Sequence, residues 1–404
     1  MENPKLALIP SGYKTSKVYS ILPNSGDGDF DFSRASSGTR VTRDGLIETV
    51  GNNVPRLDWL NRDCPVLLLE KESTNLQVYS EDFSNAAWSK NSACTMTSNT
   101  SVAPDGTLTA DTLVGDGSTT SYVFDSYSVS FDDLYAISVF VKKINVSNFE
   151  IRVFGTNGGF VTFDLDAKTS STSSSVMESH KIEDYGNGWL RCSVVYNPPS
   201  SFTMSYGFGV QDYDGEHYYL WGAQLEYLEL ATSGFASSYI KTEASSVTRS
   251  EDVCDDGGNA TLFSSIEGTM FVDLEEAFKD SSLGRISISD SSTSDRLVIG
   301  KESNNTQFRM FIQSSGSLVA QRYVTADFDV RNKLAITYRN DEFKFYHNGV
   351  LLSTDTSGDV PTGLNAFSFN ENNLGSQDFF GLINEARYYD RVLTEAEAKQ
   401  LTTI

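Results

Sequence analysis

The stretch KLAITYRNDEFKFYHNG, Lys333–Gly349, decides the fold. Its first run, KLAITYR, alternates apolar and polar residues, and FKFYHNG repeats the same period of two. A period of two sends successive side chains to opposite faces of a strand, with one face towards a core. Asn340-Asp341 separates the runs, and both residue types tolerate the backbone of a tight turn. The stretch therefore reads as a β-hairpin.

The same pattern recurs in YAISVFVKK (Tyr135–Lys143), FEIRVFG (Phe149–Gly155), FVTFDLD (Phe160–Asp166) and LRCSVVYN (Leu190–Asn197). β-Branched and aromatic residues fill these runs, and Gly, Asn, Asp and Ser punctuate them. Short strands with turn signals at intervals of about ten residues point to sandwiches or barrels. Helical periodicity is confined to the end, where GLINEARYYDRVLTEAEAKQL (Gly381–Leu401) runs from a strand into a short helix. Thr394 is placed to cap that helix, with Glu395 and Glu397 in the first turn, where the helix dipole favours acids. A helix this short does not stand alone, so it is expected to dock through Val392, Leu393 and Leu401.

Changes in texture divide the chain. Residues 1–75 are turn-rich and hold few regular strands. Residues 76–245 form a first strand block, and 260–404 form a second. Between them SSVTRSEDVCDDGGN (Ser245–Asn259) is polar and lacks alternation, which reads as a linker over 246–259. KTSSTSSS (Lys168–Ser175) reads as a solvated loop. The fold expected is all-β: two jelly-roll sandwiches in tandem after an irregular N-terminal segment, closed by a short helix.

The 31 Lys and Arg residues are outnumbered by 54 Asp and Glu, a net charge of −23. Such a surface repels phosphate backbones, so nucleic acid is excluded as a ligand, and no run approaches the roughly 18 apolar residues of a membrane span. MENPKLALIPSGYK lacks the pattern of a signal peptide. The four cysteines lie far apart with no CxxC, and the three histidines are isolated, which argues against zinc.

Resemblances now narrow the reading. EGTMFVDLE (Glu267–Glu275), NKLAITYRNDEFKFYHNGVLLSTD (Asn332–Asp355) and FFGLINEARYYDRVLTEAEAKQL (Phe379–Leu401) resemble the opening, middle and close of a laminin-G/concanavalin A-like lectin domain. NLQVYSEDFSNAAWSK (Asn75–Lys90), ESHKIEDYGNGWLRCSV (Glu178–Val194) and the segment Tyr218–Val253 resemble a carbohydrate-binding-module-like jelly roll. Such modules occur in the virion proteins of tailed bacteriophages, and Gly28–Trp59 is similar to the segment that often precedes them. The resemblance implies a non-enzymatic head fibre, tail fibre or other appendage, assembled in the host cytoplasm and then extracellular. Its implied partners are host-surface glycans, other virion proteins bound through residues 1–75, and further copies of the chain, a trimer being favoured. The alternatives are a decoration protein without sugar binding, a bacterial glycan adhesin and a glycoside hydrolase.

Individual residues sharpen these expectations. The E-x-D-x-x-E strand of concanavalin-like hydrolases is absent, as is G-x-S-x-G, so no catalytic residue is assigned. The nearest acids are Asp273 and Glu275, and Glu385 reads as the partner of a nearby arginine. Sugars stack their C–H faces on aromatic rings, and the candidates are Trp88, Tyr122, Tyr127, Tyr213, Tyr218 and Tyr323. Trp189 and Trp221 read as core. No cofactor is expected apart from calcium, for which Asp212, Asp214 and Glu216 in QDYDGEH offer oxygen ligands at a loop tip. Asp27, Asp29 and Asp31 alternate in the same way.

Overall fold

The computed structural model describes residues 3–404 except 93, 118–119, 173, 211–213, 229–233, 280–281 and 374. Among them the chain is almost wholly β, with two sandwiches in tandem and one helix.

In the first sandwich one sheet runs in the order Ser89–Lys90, Ser121–Val129, Phe202–Val210, Asn148–Val153, Gly159–Asp164 and Thr169–Thr172. The facing sheet runs Cys94–Ser101, Ala110–Asp116, Asp214–Leu228, Leu134–Lys143, Trp189–Tyr196 and Met177–Asp184. Alternation sets the register: Ile137, Val139 and Val141 point inward beside Cys192 and Val194, and meet Phe149, Ile151 and Phe208 of the other sheet. The expected loop at 168–175 differs, since Thr169–Thr172 adds an exposed edge strand to Gly159–Asp164. Serine and threonine suit such an edge because they tolerate water on both faces.

Leu134–Val141 is buried without interruption, although its sequence alternates. The outer face of its sheet carries Phe140, Trp189 and Trp221, and these meet Ile47 and Tyr239. Trp221 and Tyr239 lie 4.5 Å apart between ring centroids. Both tryptophans are thus buried, but they lie outside the sandwich interior, under segments that fold across the sheet.

The second sandwich opposes two sheets. One runs Ser317–Thr325, Gln307–Ser314, Arg296–Lys301, Gly284–Ser289 and Ala366–Ser368. The other runs Val350–Asp355, Glu342–His347, Asn332–Arg339, Glu267–Ala277 and Gly381–Tyr389. The hairpin of Lys333–Gly349 forms with Arg339 opposite Glu342, and Asp341 takes a positive φ of 57° in the turn. The helix Glu395–Thr402 packs on the outer face of the second sheet, where Leu393, Ala398 and Leu401 meet Phe271, Ala335 and Tyr346. Thr394 caps it: its Oγ1 accepts from the Glu397 N–H at 3.3 Å, and the Glu397 carboxylate accepts from the Thr394 N–H at 2.9 Å. The anchor expected at Val392 is only half-buried.

Residues 1–75 do not stand apart from the second sandwich. Leu6–Leu8 and Val66–Leu69 pair with Gly381–Tyr389, and Leu57–Asp58 pairs with Val66–Leu69, which extends the sheet of the second sandwich. Leu6, Leu8, Phe30, Phe32, Leu57, Leu67 and Leu69 enter that sandwich's core beside Ile286, Phe367 and Tyr388. Each such side chain contributes on the order of 1.5–3 kcal/mol. A segment poor in long strands is held by this burial and by edge pairing.

The segment 246–259, expected as a polar linker, is likewise built into the fold. Val247–Arg249 pairs with Ser73–Asn75, and Val253–Asp255 pairs with Phe30–Ser33. Arg249 and Asp252 are each 1% exposed. Arg34 and Arg56 both reach Asp252, and Arg56 and Arg249 both reach Glu70. Ser238, at the exit of the first sandwich, donates its N–H and hydroxyl to Glu70 at 2.8 and 2.6 Å. Burial opposes the Glu70 charge, but Arg249, Arg56 and the Ser238 hydrogen bonds outweigh it and hold the carboxyl well below its usual range. This node joins the leader, the exit of the first sandwich and the connection to the second.

Candidate functional site

A cleft of about 1290 Å³ is lined by the leader and by both sandwiches. Its first wall is a row of tyrosines. Tyr135 and Tyr227 are directly opposed across neighbouring strands, with centroids 5.9 Å apart. Tyr127, from the facing sheet, sits edge-on to Tyr135 at 6.2 Å. Tyr135 and Tyr227 lie two residues before Ile137 and two after Leu225, so they continue the inward face of the sheet to its open end. There the sandwich interior gives way to the cleft. Tyr135 is 4% exposed and Tyr227 is 46% exposed, so the row rises from a buried base to an open ring. The Tyr227 hydroxyl lies 3.3 Å from Asp133 Oδ1. Burial and the neighbouring Tyr135 push the Tyr127 phenol above its ordinary range, so it stays a neutral donor.

Phe235 carries the Lys181 ammonium 5.4 Å above its ring. The opposite wall brings Phe278, Phe328, Phe380 and Leu382 from the second sandwich, and the leader adds Asn61, Glu72 and Thr74. Apolar rings interleaved with hydroxyls, amides and carboxylates form the kind of surface that binds a sugar by stacking and hydrogen bonds together.

The expected sugar-stacking residues divide sharply. Trp88 is 2% exposed, packs on Phe83 at 4.9 Å and donates its indole N–H to the Tyr79 carbonyl. Tyr122 is 2% exposed, donates to Glu150 and lies edge-on to Phe154 at 5.4 Å. Tyr218 is 0% exposed and donates to the Asn148 carbonyl. None of the three offers a ring face to a ligand: each is a large ring whose polar end found an internal acceptor, which fits burial as well as binding. Tyr127 lines the cleft. Tyr323 is 42% exposed, far along the chain from these rings on the strand Ser317–Thr325, with the Arg309 guanidinium 5.5 Å above it. Tyr213 lies outside the described residues.

Of the calcium candidates, Asp212 lies outside the described residues, and Asp214 and Glu216 are described only in their backbone, on the strand Asp214–Leu228. Asp29 accepts from the Ser20 N–H, Asp27 from the Ser25 hydroxyl, and Asp31 pairs with Lys17. Among the described residues no cluster of three or more His, Cys, Asp or Glu side chains could hold a metal ion.

In the second sandwich Asp273 and Glu385 are cross-strand neighbours. Arg331 grips Asp273 in a fork at 2.8 and 2.6 Å, and Arg387 pairs with Glu385. Burial raises the Glu385 carboxyl despite that arginine. Both acids are engaged by cations, as the sequence suggested for Glu385.

Residues 269–399 match the profile of the concanavalin A-like lectin/glucanases superfamily, Laminin_G_3. The matched residues fall within the second sandwich, which is similar to the laminin-G/concanavalin A-like lectin domains. No curated protein matches the chain. Among solved structures, the CBM40 of the Ruminococcus gnavus IT-sialidase bound to α2,3-sialyllactose is 19% identical, with 36% of this chain and 86% of that chain covered and a TM-score of 0.30. The CBM22-1–CBM22-2 tandem of Paenibacillus barcinonensis Xyn10C is 10% identical over 83% of this chain and 95% of that one, TM-score 0.27. Mouse laminin α1 domains LG4-5 are 10% identical over 77% and 92%, TM-score 0.25. Likenesses this distant say nothing about ligands.

Proposed function

We propose that this chain is a non-enzymatic glycan-binding protein whose site is the cleft between its two sandwiches. The observation that carries the reading is the Tyr127–Tyr135–Tyr227 row, which ends in an open ring on the wall of a cavity shared by both modules. The matched lectin family supports a carbohydrate ligand. In the lectin-like module Asp273 and Glu385 are held by arginines, which argues against that pair acting as the two free carboxyls a glycosidase needs. The setting we propose is the virion of a tailed phage, where copies grouped on one particle turn weak contacts into avidity. That setting rests on the sequence resemblance of Gly28–Trp59 and of the first sandwich.

A glycan array probed with the full chain tests the site. The expected result is retention of an oligosaccharide class by the parent and its loss in Tyr227→Ala. A parent that retains no glycan would reduce the chain to a decoration protein, and release of cleaved sugar would make it a hydrolase. Mass spectrometry of purified phage particles tests the setting.

A further inference from the structure

The cleft does more than accept a sugar in general. We infer that its ligand is an uncharged oligosaccharide and that acidic glycans are selected against; this rests on the cleft reading above. Nine carboxylates and six cations line the cavity, a net charge of −3 within a chain of net charge −23.

The cations matter more than the sum, because an anionic sugar is captured by an arginine fork or an ammonium that is free to turn towards it. Arg249 donates to the Lys71 and Ser250 carbonyls and faces Glu70 at 3.5 Å. Arg191 donates to the Ser237 carbonyl at 2.6 Å and to Ser138 Oγ at 3.0 Å. Arg62 faces Glu275 at 3.6 Å. Lys181 pairs with Glu183 at 2.9 Å and Lys279 with Asp329 at 2.5 Å. Lys71 is likewise engaged. To bind a carboxylate or sulfate the cleft would have to draw a cation out of these contacts, and for Arg62, Lys181, Arg249 and Lys279 that leaves an acid unpaired beside the ligand, which costs twice.

Neutral hydroxyls meet no such conflict. They accept from phenols and serines and donate to carboxylates, groups that the cleft holds in excess. The volume suits a long ligand, since about 1290 Å³ exceeds the roughly 300–1,000 Å³ of an ordinary small-molecule site. A chain of several sugar units fills it better than a single unit.

The test is titration of the full chain with two oligosaccharide series of equal length, one neutral and one carrying a terminal carboxylate. Each is measured at low and high salt, on the parent, on Tyr227→Ala and on Glu72→Gln. The neutral series should bind with little salt dependence, and the acidic series at least about tenfold more weakly, as like-charge contacts demand. Salt should narrow that gap by screening, and so should Glu72→Gln, which removes an exposed acid from the lining. Equal or tighter binding of the acidic series, abolished by Tyr227→Ala, would overturn the charge selection and leave the cleft reading standing. No binding in either series, or binding indifferent to Tyr227→Ala, would sink the cleft reading and this inference with it.

Discussion

Arg34 and Asp252 stand 218 residues apart in the chain and 3.0 Å apart in the fold, with both side chains fully buried. Asp252 also holds Arg56 and accepts the Glu70 N–H at 2.9 Å, so one carboxylate ties the leader to the connection between the sandwiches. Through Glu70 the same node reaches Ser238 at the exit of the first sandwich.

Removing that carboxylate leaves two buried guanidiniums short of a partner. Asp252→Ala should therefore cost about 3–5 kcal/mol, the range for breaking one side of a buried ion pair. Urea unfolding monitored by tryptophan fluorescence reads it. A loss below about 1 kcal/mol, the scale of a surface pair, would show that the node adds little.

Stability should rise on mild acidification. Burial first, and then neighbouring acids, push Asp111, Asp255 and Asp378 up to about 6 from an ordinary 3.8. Their protonated forms favour the fold, a contribution complete below about pH 4 and lost as pH rises through 6. Two acids run the other way. Glu70 is held low by Arg249 and Arg56 against its burial, and Glu397 is held at about 2 by Arg391 and Thr394. Their contribution is present above about pH 4.5 and lost on further acidification. The midpoint of thermal unfolding should climb from pH 7.5 to about pH 5 and fall below about pH 4.5, and Asp255→Asn should flatten the climb. A midpoint that falls steadily from pH 7.5 downward contradicts this.

The lectin-like unit should not fold alone. Residues 260–404 by themselves expose one edge of the strand Gly381–Tyr389 and lose Leu6, Leu8, Phe30, Phe32, Leu57, Leu67 and Leu69 from their core. An open edge over a depleted core favours aggregation. Expressed in isolation, the fragment should be insoluble or bind apolar dyes, and the full chain should do neither. A monomeric fragment with a single sharp unfolding transition would show the leader to be dispensable.

Core and site aromatics should separate cleanly. Trp88→Ala should cost about 3–5 kcal/mol, as for other buried rings. Tyr227→Ala, at a half-open position, should stay within about 1 kcal/mol of the parent and act on ligand binding. Paired measurements of unfolding free energy and glycan retention distinguish the two, and a large stability loss in Tyr227→Ala would recast that tyrosine as structural.

Local pattern carried a good part of this protein. The strands at Leu134–Lys143, Trp189–Tyr196 and Asn332–Arg339, the turn at Asn340-Asp341 and the Thr394 cap all follow from alternation or from hydrogen bonds spanning a few residues. A single sequence holds such short-range constraints in full. The tertiary structure decided which edge the leader completes and which rings face solvent. Alternation separates the two faces of a strand but does not say what lies over each. Trp189 and Trp221 point away from the sandwich interior and are buried all the same, because the hairpin of Ile47 and the segment of Tyr239 fold over them. Tyr227 continues the inward face and is exposed, because the sandwich ends there and the cleft begins. Burial is set by what arrives from far along the chain, and no local period records that arrival.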